Sequence, residues 1–177
     1  MPVKAKKTKP KPASKTVKVA KPAKSAPAAK PAKPAKSTSA VPDNKSIYLR
    51  FVDEVLNGGN FSVASQYLAP EVISHSLLPG QEPGVDGYVA ALKSFHGAFP
   101  DLHANLTHAI AEGDQVVGRF EVSGTHRGSF LGMAASGRKV RYEEIAIVRM
   151  SGGKIAEHWS LADALAILQQ LGMSENG

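Results

Sequence analysis

The 177-residue sequence has no cysteine, a single tryptophan and no run approaching 18 consecutive apolar residues. Without cysteine there is no disulfide framework, no zinc–thiolate centre and no thiol nucleophile. Without a long apolar run there is no candidate for a membrane-spanning helix. Lysines stand near the N-terminus where a secretory leader would need an apolar core. These absences lead to the expectation of a soluble, cytoplasmic protein with no membrane partner.

Other absences are regional. Residues 1–42 contain no acid, no glycine and no aromatic residue, yet hold 12 of the 22 basic residues, all lysine, and 8 of the 12 prolines. The 10 basic residues left for the remainder face all 15 acids, so the body carries a formal −5 and the leading segment +12, and the overall +7 belongs to that segment alone. A pI near 9.6 therefore does not indicate a basic nucleic-acid-binding fold. Lys-Pro-Ala-Lys recurs at Lys21–Lys24, Lys30–Lys33 and Lys33–Lys36. Such a composition cannot bury enough apolar surface to offset chain entropy, and predicts an extended, disordered tail over 1–42. In composition it resembles the C-terminal tails of linker histones. The tail reads as a solvated tether, or as a polyanion contact in which dispersed lysines give weak, non-specific nucleic-acid binding. Its prolines would break the amphipathic helix of a transit peptide.

From Asp43 the pattern changes to that of one folded domain, 43–177. Ile47, Phe51, Val52, Val55 and Leu56 recur at helical spacing after an Asp43 or Asn44 cap, and Gly58-Gly59 stops them. A shorter helical piece spans 61–68, and 72–75 reads as a short strand before a Pro-Gly-rich loop. Tyr88, Leu92, Phe95 and Phe99 then form one helical stripe closed by Pro100. Beyond it the period becomes two. Leu102, Ala104, Leu106, His108 and Ile110 share one side of a strand that turns at Gly113-Asp114 into 116–126. A third strand over 140–150 turns at Gly152-Gly153 into a fourth over 155–161, and a last helix ends at Gly172. Helices first and long strands afterwards predict an α+β fold, with the helices on one face of a curved antiparallel sheet. Such a cone has a natural pocket at its mouth.

Gly124-Thr125-His126-Arg127-Gly128, Gly132, Ser136-Gly137-Arg138, Arg149, Gly153-Lys154-Ile155-Ala156-Glu157-His158-Trp159 and Gln170-Leu171-Gly172 together resemble the SnoaL-like polyketide (ester) cyclases of the NTF2-like superfamily. The resemblance covers about 44–173. It implies an NTF2-like cone and intramolecular aldol chemistry without metal or cofactor, which needs one group to take a proton alpha to a carbonyl and another to stabilise the enolate. The related ketosteroid isomerases would place their general base at His75, although a histidine satisfied at a strand end is an equal alternative. Counting back from the Gly152-Gly153 turn sets Glu144 and His158 close to opposite one another, as a proton-transfer pair or as a buried ion pair. Alternation puts Tyr142, Glu144 and Ala146 on one side and Arg141, Glu143 and Ile145 on the other, and the resemblance to the isomerases implies that the first set, with His158 and Ser160, faces the cavity. Ala146 stands where an isomerase would hold its second acid, a departure from that chemistry.

Four residues complete the candidate site. Tyr142 is a ligand contact, and His126 shares strand parity with Phe120 and Val122, so that it lines the cavity or serves a strand end. Trp159 is core or an aromatic pocket wall, and Asp163 is an acid at the rim or an N-cap. No His/Asp/Glu spacing suggests a metal site, and His96, His103 and His108 are scattered. The expected activity is a SnoaL-like cyclase-type reaction on a small, largely apolar carbonyl compound, with no cofactor. The alternative is a non-catalytic module that binds a small hydrophobic ligand or dimerises through its sheet. A homodimer is expected on either reading.

Overall fold

A computed structural model describes residues 43–76 and 80–173. The readings of the 1–42 segment and of Pro79 lie outside the described residues.

Helix α1, Asn44–Phe51, begins where the Asp43 carboxylate accepts the Ser46 N–H at 2.6 Å. The run continues as a π-helical segment, Val52–Asn57, so the single helix expected from the periodicity changes its winding halfway. Its inner stripe of Ile47, Tyr48, Phe51, Val52 and Val55 is buried. Each such side chain removed from water contributes about 1.5–3 kcal/mol. A 3-10 turn, Phe61–Val63, and a single α-turn, α2 (Ala64–Tyr67), lead into strand β1, Leu68–Ser74.

Helix α3, Gly84–Ala98, carries the predicted aromatic stripe. The meander follows as β2 (His103–Glu112), β3 (Gln115–Thr125), β4 (Lys139–Ser151) and β5 (Lys154–Ala162), closed by helix α4 (Ala164–Leu171). The strand order is β1-β5-β4-β3-β2. Every pair is antiparallel except β1 with β5, which is parallel and sets Ser74 beside His158.

Two local irregularities redirect side chains. A register shift between Leu106 and His108 leaves Thr107 without a partner and reverses the alternation. Leu102 and Ala104 are buried, but Ile110 is 69% exposed, so the expected single face from Leu102 to Ile110 is broken at Thr107. A second shift between Arg149 and Met150 leaves Ala156 unpaired on β5.

The segment after β3 is seated against the end of α3. Arg127 and Gly128 donate their N–H groups to the Ala98 carbonyl at 2.8 and 3.1 Å. A side chain at Gly128 would put its Cβ 2.2 Å from the Gly97 carbonyl oxygen, so only glycine permits this approach.

The inner face of the sheet and the helices α1, α3 and α4 enclose the core. The outer face carries the cross-strand ion pairs Arg119–Glu143 and Arg141–Glu121. Beside them Ile73, Ile145 and Leu161 are exposed at 52%, 48% and 78%.

Candidate active site

The core does not fill the cone. Between the sheet, α1, α3 and α4 lies a cavity of about 310 Å³, within the usual range for small-ligand pockets. Its walls are mostly apolar: Phe51, Leu92, Phe95, Phe120, Phe130 and Ile167 among others. Strand alternation admits a few polar groups, namely Tyr142 and Glu144 from β4, His158 and Ser160 from β5, and Ser74 and Ser76 from β1 and its end. The helices add Tyr48 and Tyr88.

Glu144 is the chemical centre of this set. Burial raises its carboxyl above the ordinary carboxylate range, and a hydrogen bond from the Ser160 side chain only partly opposes the shift. The phenols of Tyr48, Tyr88 and Tyr142 are all raised, first by burial, with the charge of Glu144 adding to the effect on each. They stay protonated at any physiological pH. A carboxyl ready to accept a proton thus sits within electrostatic reach of three hydrogen-bond donors.

Ser160 is itself fixed. Ser76 donates its hydroxyl to the Ser160 carbonyl at 2.8 Å and accepts the Ser160 N–H at 2.7 Å.

His158 occupies another part of the wall. Its ring meets the Tyr88 ring edge-on at 5.5 Å. Desolvation, reinforced by nearby His75, pushes its pKa down to about 4, so the imidazole is neutral at pH 7. Its Nδ1 is buried without a hydrogen-bond partner among the described residues.

The hairpin register corrects the expected pairing of Glu144 with His158. Glu144 faces Ala162, and His158 faces Val148. The two-residue turn at Gly152-Gly153, with the extra residue Ala156, puts the partner of Glu144 four residues beyond His158. At the usual strand rise that separation is roughly 13 Å. Both side chains line one cavity, but they form no dyad, and Tyr88 lies within the influence of both.

His75 is not among the cavity-lining residues. Ser74 and Ser76 line the cavity, and alternation turns His75 to the outer face. There its Nε2 meets Glu157 at 2.9 Å and its ring stacks on Trp159 at 4.5 Å. Glu157 also accepts from Arg149 and is held below the ordinary carboxylate range, first by His75 and then by Arg149. Trp159 therefore serves this outer cluster and is neither core nor pocket wall.

His126 is fully buried behind the wall, its ring 5.4 Å from that of Phe99. The Ser136 N–H donates to its Nδ1 at 3.3 Å, which leaves the proton on Nε2. Asp163 caps α4 by accepting the Ala166 N–H at 3.0 Å, and it is not among the residues that line the cavity. Tyr142 lines the cavity.

Tyr88 reads in the sequence only as a member of a helical stripe, and Tyr48 is not singled out there at all. The signal available was chemical: a phenol on an otherwise apolar stripe needs a polar partner or a cavity. Among the described residues no group of three His, Asp or Glu side chains is arranged to hold a metal ion. No described helix is long and apolar enough to cross a membrane.

A curved sheet closed by helices over a pocket with one raised carboxyl, a neutral imidazole and buried phenols defines an NTF2-like α+β protein with the groups for proton transfer. The chain belongs to the SnoaL-like polyketide cyclase family, whose model matches residues 46–171. It is similar to the aklanonic acid methyl ester cyclase DnrD of Streptomyces peucetius, 30% identical over 108 residues, covering 60% of this chain and 72% of that protein. DauD of Streptomyces sp. strain C5, an enzyme of the same name, is 29% identical over 62% of this chain and 67% of its own length. Among solved structures, TsrD from Streptomyces laurentii superposes with a TM-score of 0.68 at 30% identity, covering 76% of this chain and 98% of its own. A SnoaL-like polyketide cyclase from Agrobacterium tumefaciens gives 0.63 at 26%, covering 73% and 98%. Family membership supports a cyclase-type function.

Proposed function

We propose that this protein catalyses a cofactor-independent intramolecular cyclisation of a small, largely apolar carbonyl compound, with Glu144 as the proton-transfer group. The observation that carries this reading is the raised carboxyl of Glu144 beside the Tyr48, Tyr88 and Tyr142 phenols in one apolar cavity. Glu144 takes the proton alpha to one carbonyl. The phenols donate hydrogen bonds to the enolate oxygen, whose charge they stabilise most as it develops. The enolate carbon bonds to a second carbonyl carbon of the same molecule, and the proton returns to the new alkoxide. Product and substrate are then isomers, and no oxidant or reductant is consumed. Neutral His158 acts as a hydrogen-bonding partner to the ligand.

The two curated relatives suggest aklanonic acid methyl ester as the first compound to try. The expected result is conversion to an isomer of unchanged mass and altered retention, abolished in Glu144→Gln. If the compound binds but is returned unchanged by the natural chain, the non-catalytic binding module is the better reading. We further propose that the protein works as a homodimer joined across the outer sheet face. The exposed Ile73, Ile145 and Leu161 beside Trp159 support that reading. Sedimentation at micromolar concentration tests it.

A further inference from the structure

Of the residues that line the cavity, the exposed ones are Leu131 and Ala164. Leu131 is 55% exposed, a poor place for a large apolar side chain unless something covers it. It is also the one described non-glycine residue with positive φ, at 48°. A leucine in the left-handed region pays a steric cost that Asn or Gly avoids.

The surrounding turn explains how that conformation is held. Phe130 and Met133 exchange backbone hydrogen bonds at 3.0 and 2.9 Å across Leu131-Gly132, and Gly132 has φ 80°. Two successive positive φ values between bridged residues make a turn of the I′ kind, for which Asn-Gly is the favoured pair. The turn does not hang freely. Phe130 packs edge-on against Phe95 and Phe99 at 5.2 Å each, and the segment behind it is pinned to Ala98. Leu131 is therefore an apolar side chain held at a costly backbone angle on an anchored turn, in the wall of an apolar cavity and open to solvent. Strain of this kind persists where function uses it.

We propose that Leu131 is a specificity-determining contact that caps an apolar, ring-containing ligand against Phe95 and Phe130 when the cavity is filled. The proposal rests on the reading that the cavity takes an apolar ligand, and is independent of the acid–base assignment. Ligand binding then completes the burial of Leu131 that folding leaves unfinished.

The test uses the fluorescent apolar amine 1-aminoanthracene as probe, with the full chain and the variants Leu131→Asn and Leu131→Met. Loss of the contact in Leu131→Asn should weaken probe binding by about fivefold, from the exposed half of a leucine side chain left uncovered. The melting temperature of the free variant should be unchanged or higher, because Asn suits the turn. Leu131→Met, which keeps the apolar surface, should bind within about twofold of the natural chain. Unchanged affinity in Leu131→Asn overturns the proposal while leaving the cavity reading intact. So does a fall in its melting temperature, which would make Leu131 a stability residue. Failure of the natural chain to bind the probe overturns both the cavity reading and the proposal.

Discussion

Lowering the pH from 7.5 to 5 charges His158 in the unfolded chain well before it charges it in the fold. The unfolded imidazole titrates near 6.5 and the folded one at about 4, because the cavity wall takes it out of water and His75 stands nearby. The sign follows from proton counting. Between those values the unfolded state binds more protons, so stability rises with pH across the window and is lost as pH falls through it. Integrating the two titrations gives a loss of about 2 kcal/mol by pH 5 and about 3 kcal/mol by pH 4. Glu144 works in the opposite direction, since its raised carboxyl favours the folded state as the solution is acidified. A comparison that leaves Glu144 in place separates the two. Urea melts of the natural chain and of His158→Gln at pH 7.5 and 5 should show the natural chain losing about 2 kcal/mol more than the variant, several degrees in melting temperature for a domain of this size. Parallel losses in the two proteins would mean that His158 is not desolvated as its place in the wall requires.

Glu144→Gln should keep the fold and be at least as stable as the natural chain at pH 8, where the ionised carboxylate is the costly form. A loss of roughly 3–5 kcal/mol in a denaturant melt would reveal a stranded charged partner and a structural role instead. Gly128→Ala should lower stability by about 1–3 kcal/mol, because the new Cβ must displace the Gly97 carbonyl; an unshifted melting curve would contradict the packing. A chain beginning at Asp43 should melt like the full chain, and any DNA affinity of the full chain, read by salt-dependent anisotropy, should vanish with residues 1–42. Binding by the shortened chain at physiological salt would contradict that.

The meander was legible because its turns are marked by Gly113-Asp114 and Gly152-Gly153 and its strands alternate, and α4 because Asp163 and Gly172 bracket it. The cavity face of β4 was legible from the family resemblance and alternation together: once Tyr142 points inward, Glu144 must. What failed was register. The partner of Glu144 depends on the turn length and on the extra residue Ala156, and no local preference at Ala156 announces a bulge. His75 failed by parity. Its role was inferred from a resemblance, whereas the pairing of Ser74 with His158 fixes its side of the sheet, and that contact joins residues far apart in sequence. Thr107 failed in the same way, since the apolar alternation of β2 runs straight through the bulge that reverses it. Tyr88 of α3 was visible as a stripe member and Tyr48 of α1 was passed over, and only the cavity gives their hydroxyl groups a purpose.

The parallel contact of β1 with β5 governs when the cavity comes into existence. Its residues, 68–74 and 154–162, are separated by α3 and the rest of the meander, and Ser76 and Ser160 are joined at that seam, beside the pairing of Ser74 with His158. Pairing between such distant segments has a high loop-closure cost and is expected late in folding. A nascent chain that has not yet made β5 holds the carboxyl of Glu144 but not the hydroxyl group that tempers it. The pocket is thus incomplete until the last strand docks. In the finished protein the β1–β5 seam is where a bound ligand should slow amide exchange most, because opening that edge dismantles the pocket before it unfolds the meander.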